Sequence, residues 1–216
     1  MPTKFKPTQK RGAALAREIL TLIEAEQDVL YSENHAPKNQ WRQVSWALLN
    51  AEALPAGTKV EVVDPRLLRR TRSWYEGEHA LVFSQGLTCG SAMCFAGHAT
   101  HLAGDRMITR ADPNWTDAIG AGKTSNWKRA LKKASKFFLR GDAPLQFAAD
   151  FVLTDGGRVQ GIGDRARQLL GLTKRESSAF FEANNSLTTL RLYVERMERG
   201  QNIITGQKRS VRRPVS

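Results

Sequence analysis

The run Gln85-Gly86-Leu87-Thr88-Cys89-Gly90-Ser91-Ala92-Met93-Cys94-Phe95-Ala96-Gly97-His98-Ala99-Thr100-His101-Leu102-Ala103-Gly104 constrains this chain more than any other stretch. Gly90, Ser91, Ala92, Ala96, Gly97, Ala99 and Ala103 carry so little side-chain bulk that neighbouring elements can approach closely, which suits a core position. The spacing predicts one helix, with Thr88 as N-cap and Gly104 ending it in a left-handed conformation that glycine adopts cheaply. Both cysteines and two of the four histidines lie in this run.

The elements around it follow hydrophobic periodicity. Leu15, Ile19, Leu22, Ile23, Val29 and Leu30 recur at helical spacing from Gly12 to about Leu30, and Ser32 to Pro37 breaks that helix. Trp41 to Leu49, with two Trp five residues apart, predicts a second, shorter helix. Thr58 to Val63 alternates polar with apolar and predicts a strand that His79 to Phe83 could pair with. Trp127, Ala130, Leu131, Ala134, Phe137 and Phe138 share one helical face, while Lys128, Arg129, Lys132, Lys133, Lys136 and Arg140 share the other, with no acid among them. Phe147 to Leu153 fits a strand or a helix, and Asp155-Gly156-Gly157 is a turn. Asp164 is placed to cap a helix ending at Gly171, Thr173 to Glu176 is a capping box, and a last helix runs from Leu187 to Arg199.

These elements predict a mainly α-helical fold with a small β-hairpin. Residues 1–11 read as a basic flexible arm, 12–199 as a single helical domain, 47–87 as an insertion carrying the hairpin, and 200–216 as a basic disordered tail. No apolar run approaches the roughly 20 residues of a membrane span. No signal-peptide h-region follows the N-terminus, and two cysteines make no disulfide framework, so the cytoplasm is the expected compartment. With 33 Lys plus Arg against 21 Asp plus Glu, the net charge of +12 favours an anionic partner, nucleic acid first. Arg69, Arg70 and Arg72, interleaved with Trp74 and Tyr75, add a segment able to stack on bases.

Four chemistries can be weighed against these residues. Cys94, His98, His101 and Asp105 recur on one stripe of the expected helix, but residues seven apart stand about 10 Å apart along its axis. Ligands of one zinc lie about 2.0–2.3 Å from it, so only an adjacent pair such as Cys94/His98 or His98/His101 could serve, with help from elsewhere. Cys89, at the expected helix start, resembles a papain-type nucleophile, yet no histidine follows His101 to activate it. Gly120-Ala121-Gly122-Lys123-Thr124 ends like a P-loop, but Asp117 stands where the first glycine belongs. Arg165 to Phe181 has a helix-turn-helix outline in which Ser177 replaces an apolar packing residue, which favours a plain helical hairpin.

Thr88 to Ala99 resembles the CGT-x-x-C-x-AG-x-A core of a family of uncharacterised proteins from actinobacteria and their phages. Trp41 to Trp46 is similar to its W-x-Q-x-x-W element, and Leu169 to Thr173 with Phe180-Phe181 to its LLGL and LF elements. Ser91, Ser177 and Ser178 depart from the pattern. The resemblance implies a shared fold and a phage origin, and transfers no catalytic residue. The expectation is a non-enzymatic, phage-type protein that binds nucleic acid without a cofactor. The alternatives are a Cys89-dependent enzyme and a phage structural or host-inhibitory protein that binds a host protein.

Overall fold

Apolar residues at helical spacing build the N-terminal helix α1 (Gly12–Asn34), which buries Leu15, Ala16, Ile19, Leu20 and Ile23. Leu22, expected on that face, is 37% exposed, because the core-facing stripe runs through Leu20 instead. The protein, represented by a computed structural model, is described over residues 6–34, 47–50, 60–63, 79–83, 92–111 and 146–209. Strands β1 (Ala47–Asn50), β2 (Val60–Val63), β3 (His79–Phe83) and β4 (Ala92–Met93) precede helix α2 (Phe95–Leu102). Then come β5 (Arg106–Ala111), β6 (Gln146–Leu153) and β7 (Val159–Gly161), followed by helices α3 (Ile162–Leu170), α4 (Lys174–Phe180) and α5 (Leu187–Glu198).

The expected hairpin forms, with Val60 opposite Phe83 and Val63 opposite Ala80. It belongs to a larger sheet, however, so the fold mixes helices with antiparallel strands rather than being mainly α. The sheet has seven strands among the described residues, in the order β2-β3-β5-β6-β1-β4, with β7 also on β6. The segment 47–87 thus contributes three strands to this sheet, one of them between β6 and β4. Ala47 to Leu49, expected in a helix, pair as β1 with β4 and β6. Phe147 to Leu153 resolves as a strand.

A bulge sets the faces of β6. Ile108 lies opposite Phe151 while Thr109 lies opposite Ala149, so Asp150 is an extra residue on β6. That extra residue turns Ala149 and Val152, three apart, toward the same side. Both join Val60 and Met107 in the main core against the helices, whereas Val82, Ile108 and Phe151 cluster apart from it. The Asp155-Gly156-Gly157 turn closes β6 onto β7: the Gly157 N–H reaches the Thr154 carbonyl at 2.8 Å, with Gly157 at φ +71°.

The helices lock together through aromatic and ionic contacts. Phe180 on α4 meets Phe95 on α2 edge-on at 4.7 Å and Tyr193 on α5 at 5.6 Å. Arg17 on α1 binds Glu198 on α5 through two bonds of 2.8 and 2.6 Å, and Arg191 on α5 reaches back to Glu24 at 2.7 Å. These pairs are exposed, so each contributes at most about 1 kcal/mol, and their main effect is to fix α1 and α5 in antiparallel register.

Local signals hold where the side chain itself acts. Thr173 Oγ1 accepts from the Glu176 N–H at 3.2 Å and Glu176 Oε2 accepts from the Thr173 N–H at 2.9 Å, completing the capping box. Ser186 caps α5 by accepting from the Thr189 N–H at 3.2 Å. Asp164 is displaced from its expected role: Gly161 is the N-cap of α3, and Asp164 stands in the first turn, where its charge suits the helix dipole.

Candidate functional site

The small-residue helix begins later than its composition suggests. Ala92 and Met93 are strand, Cys94 is the N-cap, and only Phe95–Leu102 is helical. Small residues suit a strand packed closely against neighbours as well as a helix, so their bulk does not mark the boundary. The end is as expected. Gly104 at φ +86° donates to the His101 carbonyl at 2.9 Å, and the Asp105 N–H donates to the Thr100 carbonyl at 3.1 Å, the paired bonds of a Schellman cap. A Cβ on Gly104 would stand 2.7 Å from Pro7 Cγ, so the N-terminal segment is seated directly on this cap. The Thr8 N–H also donates to the Leu102 carbonyl at 2.8 Å. Residues 6–11, expected as a flexible arm, are thereby anchored to the end of α2.

Every residue of α2 is buried, including His98 and His101. Burial pushes the Cys94 thiol up to about 11, so at neutral pH it is a protonated thiol rather than a nucleophilic thiolate. Burial lowers both histidines to about 4, with His101 adding repulsion at His98, so both rings are neutral at pH 7. Asp105, the fourth residue of the stripe, lies beyond the helix and accepts two bonds from Arg165, at 2.7 and 3.1 Å. Among the described residues no group of three or more His, Cys, Asp or Glu is arranged to hold a metal ion. The stripe thus presents a protonated thiol, two neutral imidazoles and one buried ion pair at neutral pH. Cys89, Lys128, Arg129, Lys132, Lys133, Lys136, Arg140, Arg69, Arg70 and Arg72 lie outside the described residues, as does the Gly120 to Thr124 loop.

The helix-turn-helix outline is occupied by α3, a turn at Gly171 to Thr173, and α4. Ser177 is buried and donates to the Lys174 carbonyl at 2.9 Å, so its hydroxyl is satisfied at the position where that motif packs an apolar residue.

Sequence reasoning missed the C-terminal turn. Residues 200–209, expected in a disordered tail, fold back as a bridge between Gln201 and Lys208. Asn202 Oδ1 accepts from the Ile204 and Thr205 N–H groups, each at 3.0 Å, and Ile203 is fully buried. Arg196 on α5 donates to the carbonyls of Ile203 at 2.7 Å and Ile204 at 3.0 Å. Glu176 is the hub. Its buried carboxylate accepts from the Ile203 N–H at 3.3 Å and from Arg209 at 2.8 Å, besides closing the capping box. The sequence signals were the two isoleucines, Ile203 and Ile204, inside an otherwise polar tail.

Replacing Glu176 by Ala strands two backbone donors, at part-buried Thr173 and buried Ile203; an orphaned buried donor costs about 1–3 kcal/mol and a part-buried one less. Urea denaturation of Glu176→Ala should therefore show a loss of about 2–4 kcal/mol, with Glu176→Gln losing roughly half as much because one acceptor remains. Hydrogen exchange at the Ile203 amide should accelerate in Glu176→Ala. Unchanged protection there would mean that the turn is held by Arg196 alone.

No helix among the described residues is long and apolar enough to cross a membrane. The chain matches no protein-family model, no curated protein and no solved structure.

Proposed function

We propose that the protein is a non-enzymatic nucleic-acid-binding protein that engages phosphate through its surplus of basic side chains. The observation that carries this reading is the excess of 33 Lys plus Arg over 21 Asp plus Glu, combined with where the acids go. Among the described residues, Glu18, Glu24, Glu61, Asp105, Asp164, Glu176, Glu195 and Glu198 all stand in ion pairs within the protein. Each of these pairs cancels one acid against one cation, so the remaining surplus of basic side chains sets the sign of the outer field.

The contact residues proposed from sequence are Lys128, Arg129, Lys132, Lys133, Lys136 and Arg140, with Arg69, Arg70 and Arg72. Phosphate contacts release counterions, so duplex affinity should fall linearly with log salt at a slope near −0.9 per neutralised phosphate. Lys132→Gln with Lys133→Gln should reduce the slope by about two units if both touch phosphate. Fluorescence anisotropy of a labelled duplex over a salt series measures this. Absence of duplex binding at low salt, with a blue shift of Trp127 fluorescence on anionic vesicles, would replace this reading with membrane-surface binding.

A further inference from the structure

We propose that the first turn of α4 and the C-terminal turn together form a phosphate-contact surface for duplex nucleic acid, made by Lys174, Arg175 and Lys208 and braced by Arg209. This rests on the nucleic-acid reading above and assigns it to a second, separate place on the molecule.

The placement comes from Arg209. Its guanidinium donates to the Gly171 carbonyl at 3.3 Å and to Glu176 at 2.8 Å, which fixes the end of the C-terminal turn against the start of α4. Lys174 and Arg175 precede Glu176 in that first turn, and Lys208 precedes Arg209, so the Arg209–Glu176 pair brings together two basic segments more than thirty residues apart in sequence. Lys174, Arg175 and Lys208 are exposed, and none of the three stands in an ion pair among the described residues. Other basic residues are used differently: Arg17, Arg165, Arg191 and Arg199 pair with acids, and Arg196 holds the carbonyls of Ile203 and Ile204.

The acids nearest Lys174 and Arg175 in sequence are Glu176 and the exposed Glu182. Glu176 is the one acid between Lys174 and Phe181, and it is buried against Arg209. No acid occurs from Gln201 to Ser216, and Arg212 and Arg213 continue the basic sequence. The cations also sit on ordered backbone. Ordering a free residue costs about 1–2 kcal/mol of conformational entropy, and the Gln201–Lys208 bridge, the Asn202 turn and buried Ile203 have already met that cost in the free protein.

The chemistry selects nucleic acid over a bilayer or a protein. An amphipathic segment on lipid needs an apolar face, and a protein interface needs a buried apolar or aromatic anchor. Phe180 of α4 and Ile203 of the C-terminal turn are fully buried. The large exposed hydrophobics among the described residues, Leu22 and Leu192, lie on α1 and α5 instead. What remains is charge on a fixed frame, which suits a phosphate backbone read without base contacts.

The test is a salt titration of the full chain against a random-sequence duplex between about 50 and 200 mM salt, comparing wild type with Lys174→Gln/Arg175→Gln/Lys208→Gln. Arg209 is left in place because it holds Glu176. The triple variant should lose about 2.7 units of log–log slope if each side chain meets one phosphate. A wild type that binds duplex while the triple variant keeps its full slope overturns this surface and leaves the nucleic-acid reading standing. A wild type that fails to bind duplex at about 50 mM salt, whether or not it binds phosphatidylserine vesicles, overturns both.

Discussion

Acidification from pH 7 to pH 4 is expected to remove several kcal/mol of stability, and the two histidines of α2 are the reason. In the unfolded chain each histidine takes up a proton near its ordinary value of 6.5, whereas in the fold burial holds both at about 4. Between those values the unfolded state binds more protons than the native one, so stability is complete above about pH 6.5 and falls as pH drops toward 4. A tenfold difference in proton affinity between the two states corresponds to about 1.4 kcal/mol, which makes a single histidine worth about 3 kcal/mol. His98 and His101 repel each other once charged, so they titrate as a pair and the combined loss is about 3–6 kcal/mol.

The carboxylates act in other windows. Glu176 starts from burial, which raises it, but the Thr173 backbone and hydroxyl, Arg209 and the Ile203 N–H together draw it below its ordinary 4.5. Glu198 is drawn down by Arg17. Stability from both is present above pH 4.5 and is lost only below it, as pH falls through their folded values. Asp105 has the opposite sign, since burial raises it above 3.8 and its protonated form favours the fold. Urea midpoints measured from about pH 7.5 to 4 for wild type, His98→Gln and His101→Gln separate these contributions. Each variant should flatten the response between about pH 4 and 6.5, whatever it costs at pH 7. Variants as pH-sensitive as wild type in that interval would assign the acid lability to other groups.

How much of this was legible in the sequence depends on where the information sits. Thr173 and Glu176 form their capping box, and Gly104 and Gly171 end their helices, because these signals are carried by the residues that make the bonds. The strand Val60–Val63 was visible as period-two alternation, and His79–Phe83 as the apolar segment able to pair with it. Ala47–Asn50 was not, because pairing with β6 and β4 decided its conformation and the tryptophan spacing did not. The turn at 200–209 was hidden for a similar reason. A run with four basic residues in seventeen and no acid reads as disordered, yet Ile203 is anchored by Arg196 and Glu176, one of them twenty-seven residues away. The same long-range contact hid the candidate surface, since Lys174 and Lys208 share no local motif. Helical spacing aligned Asp105 with Cys94, His98 and His101, but α2 ends at Leu102 and the fold gives Asp105 to Arg165.

Arg165→Ala should be among the most damaging single substitutions among the described residues, at about 3–5 kcal/mol. The Asp105 carboxylate has 1% of its side chain exposed and takes both its strong bonds from Arg165, whose own side chain is 22% exposed. Removing the guanidinium leaves a charge with too little water to solvate it, in a loop whose backbone is already committed by the Gly104 cap. Arg11 still favours the ionised carboxylate and Asp155 still opposes it, so neither offsets the loss fully. The carboxyl then escapes by taking up a proton. Because Arg165 is a lowering influence, its removal moves Asp105 further upward, and the cost of Arg165→Ala should shrink as pH falls through that raised value. The double variant Asp105→Asn/Arg165→Met should recover most of the loss at pH 7, since a neutral pair of similar volume leaves no buried charge. Urea denaturation of the single and double variants at about pH 7 and pH 5.5 tests all three statements. A cost below about 1 kcal/mol for Arg165→Ala would place Asp105 in contact with water, and the α3 to β5 link would then rest on packing alone.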